Sequence, residues 1–350
     1  MMSMRKVLLA RGGALSPFSG LGGRHAALRA SLESEMIEDY TLAGVHENPT
    51  SGGAIRRVWR RWFSGPSKVA KASQDVDLVH ITDQEQAGLV PADSRVVVTV
   101  HDLFHLFPNE RYGVTVGDQK PGFFRRKDLV RVKDGLKRAK LLICISKDTQ
   151  QECEMRFPGV PTAWVPHAVD LDDYSTPRER PSWMKDGVNL IVLGSEEPRK
   201  RMEFAIQVCA GMNVTLHKLG AESSPRARTR LETLAKDTGC NLNWIGRIEQ
   251  DELIAALQHA DALLFPSIAE GFGLPPLEAY ASGTVALVAD APAHNEIPLE
   301  HHILPPDDVE MWKTAIQELE DESEVVRARA AEFSEEKWLE RMKSAYDSVF

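Results

Sequence analysis

The sequence predicts an α/β protein built of two Rossmann-like domains, with the loops at the strand C-termini facing a cleft. Three observations carry this. Short apolar runs of strand length alternate with helical patterns almost throughout. A segment rich in Pro, Asp, Ser and Arg, residues 166–187, interrupts the alternation, which then restarts. At 350 residues the chain is long enough for about two domains of ordinary size.

In the first half, strands are expected at 6–10, 39–45, 77–82, 95–101, 140–145 and 162–165, and helices at 24–34, 54–71, 124–138 and 147–155. In the second half, strands are expected at 188–193, 213–218, 242–245, 261–265 and 285–288, with helices at 201–210, 226–237, 250–259 and 274–282. A polar helical tail in two pieces fits 309–349. The expected boundaries are a first domain at 1–168, a linker at 169–187, a second domain at 188–325 and a terminal helix at 326–350 that crosses back to the first domain.

The chain is 43% hydrophobic and 27% charged, an ordinary globular balance. No apolar run approaches the roughly 18 residues that span a bilayer. The stretch from Val7 to Ala10 behind Arg5 and Lys6 is too short for a signal peptide and fits a first strand. Cys144, Cys153, Cys209 and Cys240 are scattered without zinc spacing, so buried thiols in a reducing cytoplasm are expected. Residues 1–180 carry 26 Lys and Arg against 22 Asp and Glu, while the remainder carries 16 against 29. That acidic half argues against nucleic acid as the main ligand.

The most informative stretch runs from Phe265 to Glu278. A buried strand leads through Gly271 and Gly273 into a helix whose first turn tolerates Pro275 and Pro276. Strand, glycine loop and helix N-terminus make an anion site. Glu270 and Glu278 flank it, and carboxylates accept paired hydrogen bonds from vicinal hydroxyls. Phosphate and sugar diols are therefore the expected ligand chemistry. Gly194-Ser195-Glu196-Glu197-Pro198-Arg199-Lys200 likewise follows a strand and opens a helix, where Arg199 and Lys200 suit a diphosphate.

Other features are more ambiguous. The glycine loop Gly12-Gly13 through Gly20, Gly22 and Gly23 lacks the third glycine of a dinucleotide fingerprint, so it reads equally as flexible loop or ligand clamp. His101-Asp102 closes a strand at its ligand-binding end; the histidine either meets substrate or is capped by Asp102. Asp75-x-Asp77 and Asp170-x-Asp172 match a common string, and no metal is expected at either. In residues 55–63, Ile55, Val58, Trp59, Trp62 and Phe63 form one helix face and Arg56, Arg57, Arg60 and Arg61 the other. This suits an anionic membrane surface or an inward-packed stripe. The nearby Phe123-Phe124-Arg125-Arg126-Lys127 tips the balance towards the membrane.

Four segments together resemble the family 4 glycosyltransferases of the two-Rossmann-domain, GT-B kind. They are Val98-Thr99-Val100-His101-Asp102-Leu103, the segment from Gly194 to Lys200, the one from Ala260 to Ser267, and the one from Glu270 to Ala279 with its E-x7-E signature. The resemblance covers nearly the whole chain and is strongest over 95–300. It implies retaining transfer of a sugar from a nucleotide diphosphate-sugar donor to a glycan or lipid-linked acceptor, with no cofactor and no essential metal. By position, Arg199 and Lys200 would hold the diphosphate and Glu270 the donor sugar. Glu278 would contact the ribose, and Gly271, Phe272, Gly273 and Leu274 would lie along the donor beside Gly194. His101 would line the cleft, and Gly22 and Gly23 would approach the reacting groups. Departures are Ser195, where many members have Arg, Arg201 at a position often small or Asn, and a shortened region after Glu296.

The segment around Pro198, Arg199 and Lys200 leans towards mannosyltransferase-like relatives. A cytoplasmic enzyme, peripheral at the inner membrane face, fits these features. Rival readings are a nucleotide-sugar 2-epimerase of the same fold and a catalytically degenerate sugar-nucleotide-binding scaffold.

Overall fold

A computed structural model of the chain describes residues 4–13, 20–49, 51–117 and 119–350. The chain divides into two units, the first comprising Met1–Asn109, Gly117–His167 and Glu336–Phe350, the second Glu110–Val116 and Ala168–Glu335.

Along the chain the elements run β1 (Arg5–Gly13), α1 (Gly20–Glu33), β2 (Tyr40–Asn48), α2 (Ala54–Trp59), α3 (Gly65–Ala72), β3 (Leu78–Ile81) and β4 (Val96–Val100). A small two-stranded sheet, β5 (Asn109–Arg111) and β6 (Val114–Val116), precedes α4 (Phe123–Arg138), β7 (Leu141–Cys144), α5 (Lys147–Arg156) and β8 (Thr162–Trp164). The main sheet of the first unit has the order β2-β1-β3-β4-β7-β8 and its pairs are parallel. Every residue of β4 is buried, as the uninterrupted run VVVTV requires of a central strand covered on both faces.

The second unit holds α6 (Leu171–Ser175), β9 (Val188–Leu193), α7 (Met202–Val208), β10 (Val214–Leu219), α8 (Pro225–Thr238), β11 (Asn241–Gly246), α9 (Gln250–Gln258), β12 (Ala262–Phe265), α10 (Leu274–Ser282), β13 (Val285–Ala289), β14 (Ile303–Leu304), α11 (Val309–Gln317) and α12 (Ser323–Ala330). Its parallel sheet has the order β11-β10-β9-β12-β13-β14. Leu190, Val192, Phe204, Leu264, Leu287 and Trp312 centre its core, each large side chain contributing about 1.5–3 kcal/mol by leaving water. In each sheet the winding reverses once, between β1 and β3 and between β9 and β12. Ligands of doubly wound sheets sit beyond the strand C-termini at such switch points.

The last helix, α13 (Glu335–Asp347), places Met342, Ala345 and Tyr346 in the first unit's core beside Val7, Leu9, Leu28 and Leu32. Tyr346 Oη lies 2.7 Å from His80 Nδ1, and His80 Nε2 lies 2.7 Å from Thr99 Oγ1. Burial drives the His80 pKa down to about 3, so this linking ring is neutral.

Several sequence expectations are corrected. Helix α1 begins at Gly20 rather than at 24, so Gly22 and Gly23 lie in a helix and not in a loop; residues 14–19 of that glycine stretch lie outside the described residues. Buried Leu28 and Leu32 hold the helix in place despite the poor helix propensity of its glycine-rich start. The expected helix over 54–71 is broken by a five-residue π turn, Arg60–Ser64, before Pro66 opens α3. The tail is three helices rather than two, and β5, β6 and β14 went unforeseen. Asp77 accepts the Lys6 N–H at 2.8 Å and Asp170 caps α6 at 3.0 Å, so these carboxylates have structural work. All four cysteines are buried and free.

Candidate functional site

At the second switch point, β9 ends at Leu193 and Gly194 adopts φ +128°, where a Cβ would meet the Lys200 side chain at 2.8 Å. Glycine here lets the lysine stem lie directly on the backbone. A single 3-10 turn, Pro198–Lys200, then presents Arg199 and Lys200, and Arg201, at φ +51°, turns the chain into α7. The Arg201 guanidinium itself goes to the Pro306 carbonyl and the Asp307 carboxylate.

Arg199 and Lys200 converge on Glu270, from the loop after β12. Arg199 Nη1 donates to Ala269 O at 2.7 Å and lies 2.8 Å from Glu270 Oε2, while Lys200 Nζ donates to Glu270 Oε1 at 3.0 Å. Ser267 Oγ adds a third bond to Glu270 at 2.7 Å, and the Ile268 N–H donates to Arg199 O at 2.9 Å. The two loops are thus bonded together through backbone and side chains. Burial alone would raise the Glu270 pKa, but Lys200 and then Arg199 overcome it and hold the carboxyl at about 2. Arg199 also pairs with the more exposed Glu197 at 2.9 Å, and Ser195 Oγ donates to the same Glu197 at 2.9 Å. Two fixed cations are therefore held by two carboxylates, an arrangement in which an incoming anion can exchange for carboxylate contacts.

Helix α10 opens at Gly273, with φ +114°, where a Cβ would come within 2.6 Å of His294 Cβ. Pro275 and Pro276 lie in its first turn and carry no N–H. The helix end therefore offers fewer donors than a generic N-terminus, as the two prolines in the sequence imply. Gly271, Gly273 and Leu274 keep theirs. Phe272 is buried with its ring edge-on to Phe333 at 5.9 Å, so only its backbone can face a ligand. Glu278 is half-buried on α10.

Sequence reasoning missed His294. It is fully buried, its ring packs on Phe265 at 5.3 Å, and neither ring nitrogen has a well-aligned partner. Burial lowers its pKa to about 4, opposed by nearby Glu270. No periodicity marks such a residue; only its position after β13 places it here. Ser267 and Glu197 were within the segments singled out, without a role.

Gly22, Gly23 and His101 belong to the first unit, whereas the residues gathered around Glu270 belong to the second. His101 Nε2 donates to Thr82 O at 3.0 Å, its ring stacks on His167 at 5.5 Å, and both rings are buried. Asp102 bonds the Phe104 N–H at 3.1 Å, so the expected cap on His101 comes from Thr82 and not from Asp102. His25 Nδ1 lies 3.0 Å from Thr82 Oγ1, and burial lowers its pKa to about 4.

The same unit carries an apolar patch. Ile55 is 86% exposed, Trp59 58%, Phe63 57%, Phe123 58% and Phe124 65%, with Arg56, Arg57, Arg126 and Lys127 exposed around them. The stripe is thus not packed inward. Arg61 departs from the expected solvated face, pairing with Asp128 at 2.7 Å and bonding Gln86 at 2.9 Å. Trp62 also bonds Asp128, at 3.2 Å.

Residues 176–337 match the family model described as glycosyl transferases group 1, and residues 21–173 match that of glycosyltransferase family 4. The chain belongs to this family of glycosyltransferases. It is 30% identical over 259 residues to the serotype-specific mannosyltransferase WbdA of Escherichia coli, an alignment covering 64% of this chain and 31% of WbdA. To the O-antigen chain mannosyltransferase RfbU of Salmonella typhimurium it is 23% identical over 239 residues, 65% of each chain. The chain thus spans about a third of the first relative's length and under two thirds of the second's. Among solved structures, HepE of Anabaena in complex with UDP and glucose superposes with a TM-score of 0.75 at 16% identity, covering 98% of this chain and 100% of that one. That likeness supports the GT-B fold.

Proposed function

We propose that this chain transfers a hexose, with mannose the favoured sugar, from a nucleotide diphosphate-sugar to a glycan or lipid-linked acceptor, with retention of configuration and without an essential metal. The observation that carries this reading is the convergence of Arg199 and Lys200 on Glu270 at the switch point of the second sheet. A departing nucleoside diphosphate builds negative charge, and preorganised cations in a mostly buried setting stabilise it without a metal ion. Glu270, kept ionised, accepts hydroxyl hydrogens of the donor sugar, and Glu278 those of the ribose. The mannosyltransferase names of WbdA and RfbU support the sugar assignment.

His101 lines the cleft from the first unit, and Gly22 and Gly23 approach the reacting groups. The exposed patch of Ile55, Trp59, Phe63, Phe123 and Phe124 with its basic rim seats the protein on the anionic inner face of a membrane. No described helix is long and apolar enough to cross one.

Incubating the protein with GDP-, UDP- and ADP-sugars, with and without a lipid-linked glycan acceptor, tests this. Acceptor-dependent nucleoside diphosphate release, with the donor anomer retained in the NMR spectrum of the product, is expected. An epimerised donor formed without acceptor, or donor binding with no turnover across the acceptor panel, contradicts it.

A further inference from the structure

We propose that His301, His302 and Glu322 bind one divalent transition-metal ion of the zinc class, at a site made by none of the residues that hold the donor. One donor atom from each of the three lies within 4.8 Å of the other two. His301 Nε2 is 3.1 and 2.9 Å from the two Glu322 oxygens, and His302 Nε2 is 3.3 Å from Glu322 Oε1. Two ligands sit at the 3-10 turn Glu300–His302 that leads into β14, and the third precedes α12.

The donor set decides the class of ion. Two imidazole nitrogens and a carboxylate match the three-ligand zinc sites that leave a fourth position for water. Imidazole favours zinc, cobalt, nickel and copper over magnesium and calcium. At metal–ligand lengths of about 2.0–2.1 Å, tetrahedral ligand atoms stand roughly 3.3 Å apart, so the imidazole–carboxylate separations here need little adjustment.

The surroundings are also built for ligation. His302 is 3% exposed, and its Nδ1 lies 2.5 Å from Tyr280 Oη. Tyr280 is fully buried and its Oη accepts the Leu299 N–H at 3.0 Å. A polar partner on one ring nitrogen orients the ring and commits the other nitrogen to the metal. In the tautomer whose Nδ1–H donates to Tyr280, the Nε2 lone pair faces His301 and Glu322. The His301 side chain, 60% exposed, leaves the site open to ions from solvent. A bound ion ties the turn before β14 to the start of α12, so it stabilises the folded second unit by mass action.

Full-length protein stripped with EDTA and desalted is titrated with ZnCl2 by calorimetry and with CoCl2 by visible absorbance. One-to-one binding is expected, with cobalt ligand-field bands of tetrahedral intensity and an unfolding temperature that climbs with free zinc. His301→Ala, at a mostly exposed position, and Glu322→Gln, which keeps side-chain shape, should each weaken binding at least about 10-fold while nucleoside diphosphate release is unchanged. Absence of saturable binding by the wild type, equal binding by both variants, or a thiolate charge-transfer band showing cobalt on cysteine overturns the proposal.

Discussion

At the switch point of the second sheet, between β9 and β12, Arg199, Lys200 and Glu270 form a fixed ionic cluster. At the corresponding point of the first sheet, between β1 and β3, stand His25, Thr82 and His101, with His167 stacked behind. Both sheets are parallel and reverse once, the first with two strands and the second with three on the early side of the reversal, and the chemistry at the two points is opposite. The second unit presents permanent cations suited to a diphosphate. The first presents buried rings, of which His25 and His167 are held neutral by burial, suited to hydroxyl groups. The reversal point of each sheet fixes where a ligand sits; the side chains at the strand ends fix which ligand it is.

The largest effect that would break this comparison is on turnover. Lys200→Ala should lower kcat about 10²–10³-fold at saturating donor, followed as nucleoside diphosphate release, whereas an unchanged kcat would remove the charge asymmetry between the units. Next in size, Gly273→Ala forces a Cβ against His294 at a strained φ. It should destabilise the second unit by about 3 kcal/mol, read from urea denaturation. An unaltered midpoint would mean that the approach of α10 to His294 is unimportant.

Acid titration sharpens the comparison further. His25 and His80 have pKa values lowered from 6.5 to about 4 and about 3. The unfolded chain therefore takes up their protons first, and their contribution to stability declines as pH falls below 6.5. The Glu270 pKa is lowered from 4.5 to about 2, so its contribution is intact above 4.5 and lost as pH falls towards 2. Urea midpoints measured from pH 7 to 3 should fall in two stages, and His80→Gln should reduce the earlier one, which buried His25, His167 and His294 share. A single decline below pH 4.5 would contradict the assignment. The smallest effect concerns the membrane patch. Arg56→Ala with Arg57→Ala, sparing the ion-paired Arg61, should reduce flotation with anionic vesicles, and equal flotation would leave the patch without a lipid role.

Much of this was legible in the sequence because buried parallel strands are written as unbroken apolar runs. Val96–Val100 and Ala262–Phe265 need nothing else. Helix α10 was bounded correctly at both ends, since Gly273 and Gly283 carry the left-handed caps that enclose it. The cationic pair and Glu270 were visible because they flank glycines directly after strands. What stayed hidden depends on tertiary contacts. The π turn at 60–64 sits where Arg61 reaches inward to Asp128, which no period of apolar residues reveals. The strands Asn109–Arg111 and Val114–Val116 are short and mostly polar, without the alternation that signals a hairpin. His294 looks like any loop histidine until the fold brings it against Gly273.

The central claim is that Lys200, with Arg199, grips a diphosphate in exchange for Glu270. Calorimetric titration of wild type and Lys200→Ala with the nucleoside diphosphate of the preferred donor tests it most directly, at two salt concentrations. Affinity should drop at least about 10-fold in the variant, and the wild type should lose more affinity on raising salt than the variant does. Equal affinity in both proteins, with the same salt dependence, would contradict it.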